Sequence, residues 1–475
     1  MNITYKRRLI RIRQNKWIIA LISYIKSVYS KTLETNSQLK QQFLQFLPFL
    51  LASILTGTIA FLYSKIFSYS EKLSFYIYHQ NKLYIFVSTP ISFLVSWWLV
   101  KYFAPYSKGS GIPQVMAAIE LTKPKSSKLI VHFLSLKIVL IKIVASSVKV
   151  IGGGISGREG PTIQIASSIF NQVYQWLPKW WAPIAQKNVL IAGAASGLAA
   201  AFNTPLGGII FAIEELSKFH FKYYKSPLFI SIIIAGLTAQ GFSGPYLYLG
   251  YPKTNFSGYW VYLGILIVAI VAGYFGSNMC RILLRFMRWV NAQKNTIRQA
   301  GIVVGCALFI ATCIYYFGIE AMGSGKELME RTLFSDNKTV EWFLPLIRMN
   351  GLIASFGFGG AGGVFAPSLS AGASFGALIA QLLQLTDSNA DILILIGMTS
   401  FLTAVTRAPF TSAIIIFEMT DRHSIIFFLL LGAFVANMIA TLVDKHSFYD
   451  ILKENYINEV SPKQLNTNTL AKISN

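Results

Sequence analysis

Charge-free stretches recur along this chain, at 41–64, 83–100, 188–213, 226–252, 254–280, 299–319, 349–386 and 424–443. Each is near or above the ~20 residues a helix needs to cross the hydrocarbon core of a bilayer. Apolar and polar positions do not alternate within them, as they would in the ~10-residue strands of a membrane barrel. Only helices and closed barrels satisfy their own backbone in lipid. The pattern therefore predicts an all-α polytopic membrane protein. Charged loops are expected at Glu120–Lys128 and Gly325–Trp342, and a polar tail after Val443 too short for a folded regulatory domain.

The pattern also repeats. The segment Ala200–Leu216, AAFNTPLGGIIFAIEEL, aligns with Ala404–Thr420, AVTRAPFTSAIIIFEMT, 204 residues on. Pro205 then meets Pro409, and Glu214 meets Glu418. Upstream, SGREGPTIQ in the first half matches GAGGVFAPSLS in the second through Pro161 and Pro367. Two related membrane halves are a common transporter architecture, with the site near the midplane where broken helices meet. The expected organisation is a basic segment over 1–42, a transport domain over 43–455 and a polar tail over 456–475. The halves are placed at about 43–250 and 254–455.

Composition supports this class. The chain is 54% apolar and 13% charged, against about 25% charged in soluble domains. The net charge of +23 does not mark a nucleic-acid binder, because Lys and Arg collect in cytoplasmic segments of membrane proteins. Nine of them precede residue 41, against Glu34 alone. That asymmetry predicts a cytoplasmic N-terminus, with anionic lipid within its reach. The apolar run WIIALISYI is short and lacks a cleavage site, so it does not make a secretory signal. Cys280, Cys306 and Cys313 lie in apolar windows without metal spacing and read as packing residues. No zinc, haem or P-loop signature is present, and no cofactor is expected.

Three motifs share one design: GSGIP (Gly109–Pro113), GREGP (Gly157–Pro161) and GGVFAP (Gly362–Pro367). Each sets small residues before a proline and an apolar stretch. Proline suits the first helical turn, and glycine lets backbone approach a ligand closely. Such a turn presents unpaired N–H groups at the positive end of a helix, an anion site without a full charge. Dipoles hold an anion weakly enough to release it. Alone, each motif is equally a tight turn or a close helix contact; together, in a duplicated membrane chain, they point to anion transport.

Glu159 begins the helix after GREGP, where negative charge is stabilised. It can occupy an anion site while charged and leave when protonated, so one side chain serves as gate and proton carrier. Burial and the helix end act on its proton in opposite senses. The alternatives are a simple capping carboxylate or a partner of Arg158, which positions the loop or raises the local potential. Glu214 and Glu215 close a charge-free window. They are candidates for function, or an interfacial pair facing Lys218 and Lys222. Glu418 can equally serve as a structural carboxylate for nearby helix ends. Lys142 and Lys149 share a helix face, which is expected to meet protein or water, whereas Lys137 suits snorkelling.

These residues resemble the CLC family of chloride channels and proton-coupled chloride exchangers. The resemblance covers roughly residues 45–455, on GSGIP, GREGPTIQ, GGVFAP and AAFNTPLGGIIFAIEEL in the family's order. It implies an inverted-repeat fold and a homodimer with one pathway per subunit. It implies that the hydroxyls of Ser110 and Tyr449 coordinate the central anion, with Gly111, Ile112, Val364 and Phe365 supplying backbone around it. Glu159 matches the external gating glutamate and Glu215 the internal proton-transfer glutamate of exchangers. Lys142 falls where the family carries a basic residue, and Gly157, Arg158, Gly160 and Pro161 complete the gate motif. The segment around Tyr449 departs from the pattern in lacking a proline. Serine at 110 resembles chloride-selecting members, whereas proline there accompanies nitrate preference. The family's cytoplasmic nucleotide-binding pair is not matched, which implies a bacterial protein of the inner membrane. The expected function is H⁺/Cl⁻ exchange; the alternative is a passive voltage- or pH-gated chloride channel of the same fold. An enzyme is not expected, since Glu159 has no nucleophile, metal set or second carboxylate in its motif.

Overall fold

A computed structural model describes residues 37–124, 126–178, 180–217, 225–244, 247–254, 258–385 and 387–461, with Ala20, Ser23, Tyr24 and Ser27. Most of the basic N-terminal segment, Lys218, Lys222 and the end of the polar tail lie outside these residues.

The described chain is helical, without a named strand. The first half holds α1 (Ser37–Gln80), α2 (Ile85–Phe103), α3 (Ile112–Glu120), α4 (Leu136–Ile151), α5 (Glu159–Trp176), α6 (Gln186–Phe202), α7 (Pro205–Phe211) and α8 (Lys225–Ser243). The second holds α9 (Trp260–Ala292), α10 (Thr296–Phe317), α11 (Lys326–Phe334), α12 (Leu344–Gly357), α13 (Phe365–Leu382), α14 (Asp387–Thr406), α15 (Pro409–Thr420), α16 (Ile426–Val443) and α17 (Phe448–Val460). Among the described residues nine helical segments are long and apolar enough to span a membrane. The protein is a multi-pass membrane protein.

Two of the charge-free windows are not single spans. Window 188–213 breaks between α6 and α7, at Asn203, whose φ of 58° is left-handed, and Pro205, which opens the next helix. Window 349–386 breaks between α12 and α13 across Phe358–Val364, where Gly359 and Gly362 take positive φ. Hydropathy registers length of apolar chain but not these interruptions, which carry no charge. The loop expected at Gly325–Trp342 contains α11, and the polar stretch after Val443 forms α17, with Phe448, Tyr449, Leu452 and Tyr456 buried. The three cysteines are buried and free.

The halves are related residue by residue. Asn203 and Arg407 both take left-handed φ, 58° and 62°. The next residues, Thr204 and Ala408, have nearly the same backbone angles before Pro205 and Pro409. Arg158 and Val364, 206 positions apart, cap α5 and α13 at φ −100° and −101°. Between them the halves touch through a reciprocal pair: Gly157 N–H donates to Gly363 O at 2.9 Å, and Gly363 N–H to Gly157 O at 2.8 Å. An antiparallel pair has a two-fold axis between its members. The related helices α5 and α13 start from that pair, the arrangement an inverted repeat produces. In each half the tightest packing joins the helix after this point to its successor, α5 to α6 and α13 to α14.

A second reciprocal contact secures the halves. Glu214 follows α7 in a π-helical turn, Ala212–Ser217. Its carboxylate accepts from Phe410 N (3.1 Å), Thr411 N (2.7 Å) and Thr411 Oγ1 (2.6 Å) at the start of α15. Glu418, on α15, accepts from Leu206 N (3.0 Å) and Gly207 N (2.6 Å) at the start of α7. Each half thus satisfies the orphan N–H groups of the other's helix. Glu418 is the structural carboxylate anticipated as one of its roles, and Glu214 is its counterpart.

Replacing Glu214 by Ala strips three charge-assisted bonds and is expected to cost about 2–4 kcal/mol. Glu418→Ala, with two bonds to lose, should cost less. Thermal unfolding in mild detergent checks both; equal melting temperatures for wild type and Glu214→Ala would refute the reciprocal cap.

Candidate anion site

Four helix starts converge near the axis. Ser110 stands before α3, flanked by Gly109 and Gly111 at φ 65° and 100°. It packs so closely on Gly160 of α5 that a side chain there would strike its hydroxyl. Gly157 and Gly363 join α5 to α13. Gly109 N–H donates to Gly360 O (2.8 Å), and Gly362 N–H to Gly109 O (3.1 Å), tying α3's leading segment to α13's. Tyr449, in the first turn of α17, is buried with its hydroxyl near enough to Ser110 to interact. The sequence-predicted residues Ser110, Gly111, Ile112, Gly157, Glu159, Gly160, Pro161, Val364, Phe365 and Tyr449 are therefore brought together and buried.

The polar groups there are poised for a ligand. Ser110 Oγ and Tyr449 OH are buried beside one another, and neither has a hydrogen-bond partner beyond the other. Burying hydroxyls with so few partners is costly, so the pair needs an explanation. Glu159 is 1% exposed. Its Oε1 accepts from Tyr248 OH at 3.3 Å, and its Oε2 makes no hydrogen bond and folds over Gly157. Arg158 is half-buried, and its guanidinium donates to Ser64 on α1. Glu215 is buried in the π-helical turn, one residue past the capping Glu214. The extra residue of a π turn is often found at functional sites; here Glu214 caps α15 while Glu215 beside it is buried.

Lys142 and Lys149 are both fully buried, and Lys137 is exposed, as their spacing implied. Lys142 Nζ donates to the carbonyls of Ser107 (2.9 Å) and Gly109 (2.7 Å). A trans peptide points its N–H away from its C=O, so holding Gly109 O turns the Ser110 N–H away from the lysine. Lys149 Nζ donates to Ser355 O at 3.1 Å, across the axis.

The second half repeats this device, and sequence reasoning missed it. Arg348, 206 positions after Lys142, is fully buried on α12 and donates to the carbonyls of Met322 (3.0 Å) and Gly323 (3.3 Å) and to Ser370 Oγ (2.7 Å). Gly323-Ser324-Gly325 repeats Gly109-Ser110-Gly111, with φ of 62° at Gly323 and 84° at Gly325. Here the N–H turned away from the cation has a visible partner: Ser324 N–H donates to Glu71 Oε1 at 2.9 Å. A GSG turn held by a buried cation thus binds a carboxylate in this molecule. The recurrence of GSG was the available signal. Among the described residues no carboxylate hydrogen-bonds to the corresponding N–H groups before α3.

Known proteins with this arrangement can now be compared. The family model described as voltage gated chloride channel matches residues 92–441. The chain belongs to this family. It is 27% identical over 420 residues to the H(+)/Cl(−) exchange transporter ClcA of Citrobacter koseri, covering 84% of this chain and 85% of that one. To the ClcA of Salmonella arizonae it is 26% identical over 421 residues, with the same shares covered. Among solved structures, a slow cyanobacterial Cl⁻/H⁺ antiporter superposes with a TM-score of 0.75 at 22% identity, over 89% of this chain and 99% of that one. A CLC-type fluoride/proton antiporter gives 0.71 at 20% identity, over 87% and 98%. The all-α inverted-repeat fold implied by the motifs is therefore the fold of this chain.

Lys142→Met removes the donor that holds the GSG turn. Chloride affinity, read by titration calorimetry, is expected to fall about tenfold or more, the worth of a hydrogen bond to a charged group. An unchanged affinity would detach Lys142 from the site.

Proposed function

We propose that this chain exchanges chloride for protons across a bacterial inner membrane, with its N-terminus in the cytoplasm. The observation that carries this is the meeting of two buried hydroxyls, Ser110 and Tyr449, with the N-termini of α5 and α13 beside the buried carboxylate of Glu159. The relatives named as exchange transporters support it, as does the buried glutamate at 215. The transport unit is residues 43–455, in halves of about 43–250 and 254–455, and two subunits associate with one pathway each.

The site binds an anion through weak, fixed dipoles: hydroxyls of Ser110 and Tyr449, and backbone around Gly111, Ile112, Val364 and Phe365. Nothing there needs a metal or organic cofactor, and no covalent step occurs. Glu159, ionised, competes with chloride for the positive end of α5. Protonated, it loses that attraction and yields the place to the anion, carrying a proton as it goes. Glu215 accepts or delivers that proton on the other side, with Tyr449 between. Arg158, tied to Ser64, keeps positive potential at the gate, while Gly157, Gly160 and Pro161 let the chain turn there without side chains in the path. Serine at 110 sets chloride over nitrate.

The experiment is proton flux into liposomes holding the purified full chain, under a chloride gradient with voltage clamped at the proton equilibrium potential. Protons driven uphill establish exchange; chloride flux without proton movement would make this a channel. Glu159→Gln should abolish proton movement, and unchanged coupling would remove the gate assignment. Ser110→Pro should shift preference from chloride towards nitrate, and an unaltered preference would refute the selectivity role of Ser110.

A further inference from the structure

Glu159 has a neighbour that none of the transport motifs contains. Tyr248 lies in the segment between α8 and α9, fixed by Leu249 N–H donating to Met419 O at 3.1 Å. It is 3% exposed. Its ring packs edge-on against Phe202 at 5.4 Å, and Phe202 packs on Phe365 at 6.1 Å. The ammonium of Lys326 sits over the ring, 5.2 Å from its centre. The hydroxyl donates to Glu159 Oε1 at 3.3 Å. Lys326 opens α11, after the second GSG turn, and lines a cavity of about 740 Å³ with Glu71, Ser324, Glu327 and Arg331. The tyrosine therefore connects this cavity to the gating carboxylate.

We propose that Tyr248 is a latch on the gate: its hydroxyl holds ionised Glu159 in the closed position, and Lys326 holds the ring in place from the cavity side. The proposal rests on Glu159 being the gate. A phenol donates to a carboxylate but gains little from a neutral acid's carbonyl, so the bond favours the charged, occluding form. Opening requires the proton and the loss of this bond together. The other charged and titratable groups around Glu159 are Arg158 on its own helix, and Tyr63 and Glu71 on α1. Tyr248 is a positioning residue, acting through the Glu159 carboxylate.

The test is the pH profile of chloride flux in liposomes, for wild type, Tyr248→Phe, Glu159→Gln and the double variant. Losing the donor leaves the carboxylate easier to protonate, so opening occurs at less acid pH. Tyr248→Phe should move the profile upward by about one pH unit, the order of one hydrogen bond to a charged group. It should also tighten apparent chloride affinity at neutral pH, because the competing carboxylate is held less firmly. In the Glu159→Gln background the same change should move nothing. Should Tyr248→Phe fail to fold, 3-fluorotyrosine at position 248, a stronger donor of nearly the same shape, should move the profile downward. An unmoved profile with Tyr248→Phe, or an equal effect in both backgrounds, would overturn the latch and leave the gate standing. A Glu159→Gln protein that keeps the wild-type pH dependence would overturn both.

Discussion

Two buried cations set the backbone on which the site depends. Lys142 and Arg348, in equivalent helices of the two halves, spend their donors on main-chain carbonyls before a GSG turn. Burying an ammonium or guanidinium without a carboxylate against it is expensive. Carbonyls soften that cost only if several point at the cation, and pointing them there forces the next N–H groups the other way. The cations thus choose the direction of the peptide planes, and the planes present donors to whatever lies opposite. In the second half that is Glu71; in the first, no carboxylate among the described residues takes the equivalent place.

The pseudo-two-fold axis explains why this works in so small a volume. Reciprocal bonds between Gly157 and Gly363 bring two helix N-termini to one point, where a side chain on Gly157 would strike the Glu159 carboxylate and one on Gly363 would crowd Gly157 O and Pro161. Fixing them requires the far ends of the halves to be fixed as well. Glu214 and Glu418 supply this by capping one another's helices. One helix-end rule recurs three times: carboxylates from the other half cap α7 and α15, Glu71 takes the second GSG turn, and Glu159 stands at the start of its own helix. The three differ in how many donors each carboxylate engages. Glu214 has three, and Glu159 has Tyr248 on one oxygen and nothing on the other.

Tyr449 sits where α17 meets α3, and α17 is held there by charge as well as packing. Lys108 pairs with Glu459 at 3.6 Å, and Lys453 with Glu120 at 3.3 Å. Burial works against the charge of Lys453, but Glu120 and Asp450 outweigh it and hold its pKa above the ordinary lysine value. Tyr456 takes a bond from Gln114 Nε2 at 3.2 Å. A stretch that reads as polar therefore folds as a helix that buries Tyr449, because its apolar side packs inward while Lys453 and Glu459 pair with the first half.

How legible all this was follows from what each feature costs in sequence. Glycine before proline, repeated three times, leaves a mark, so the starts of α3, α5 and α13 are legible in the sequence. The lysines were found because charge is conspicuous in an apolar helix. Arg348 is equally conspicuous, and GSG recurs at 323–325, but the offsets of the repeats drift from 204 to 206 to 214 residues as loops differ. An alignment fixed on one motif passes over the others. The breaks at Asn203 and Phe358–Val364 were hidden because backbone turned by left-handed φ carries no charge and lowers no hydropathy. Tyr248 was hidden more deeply. Among 23 tyrosines nothing in its flanking residues marks it, and only the fold carries a segment from between two helices onto the gate. What a sequence shows of a membrane site is the part that must be unusual locally; a residue whose role is to arrive from elsewhere looks ordinary until the chain is folded.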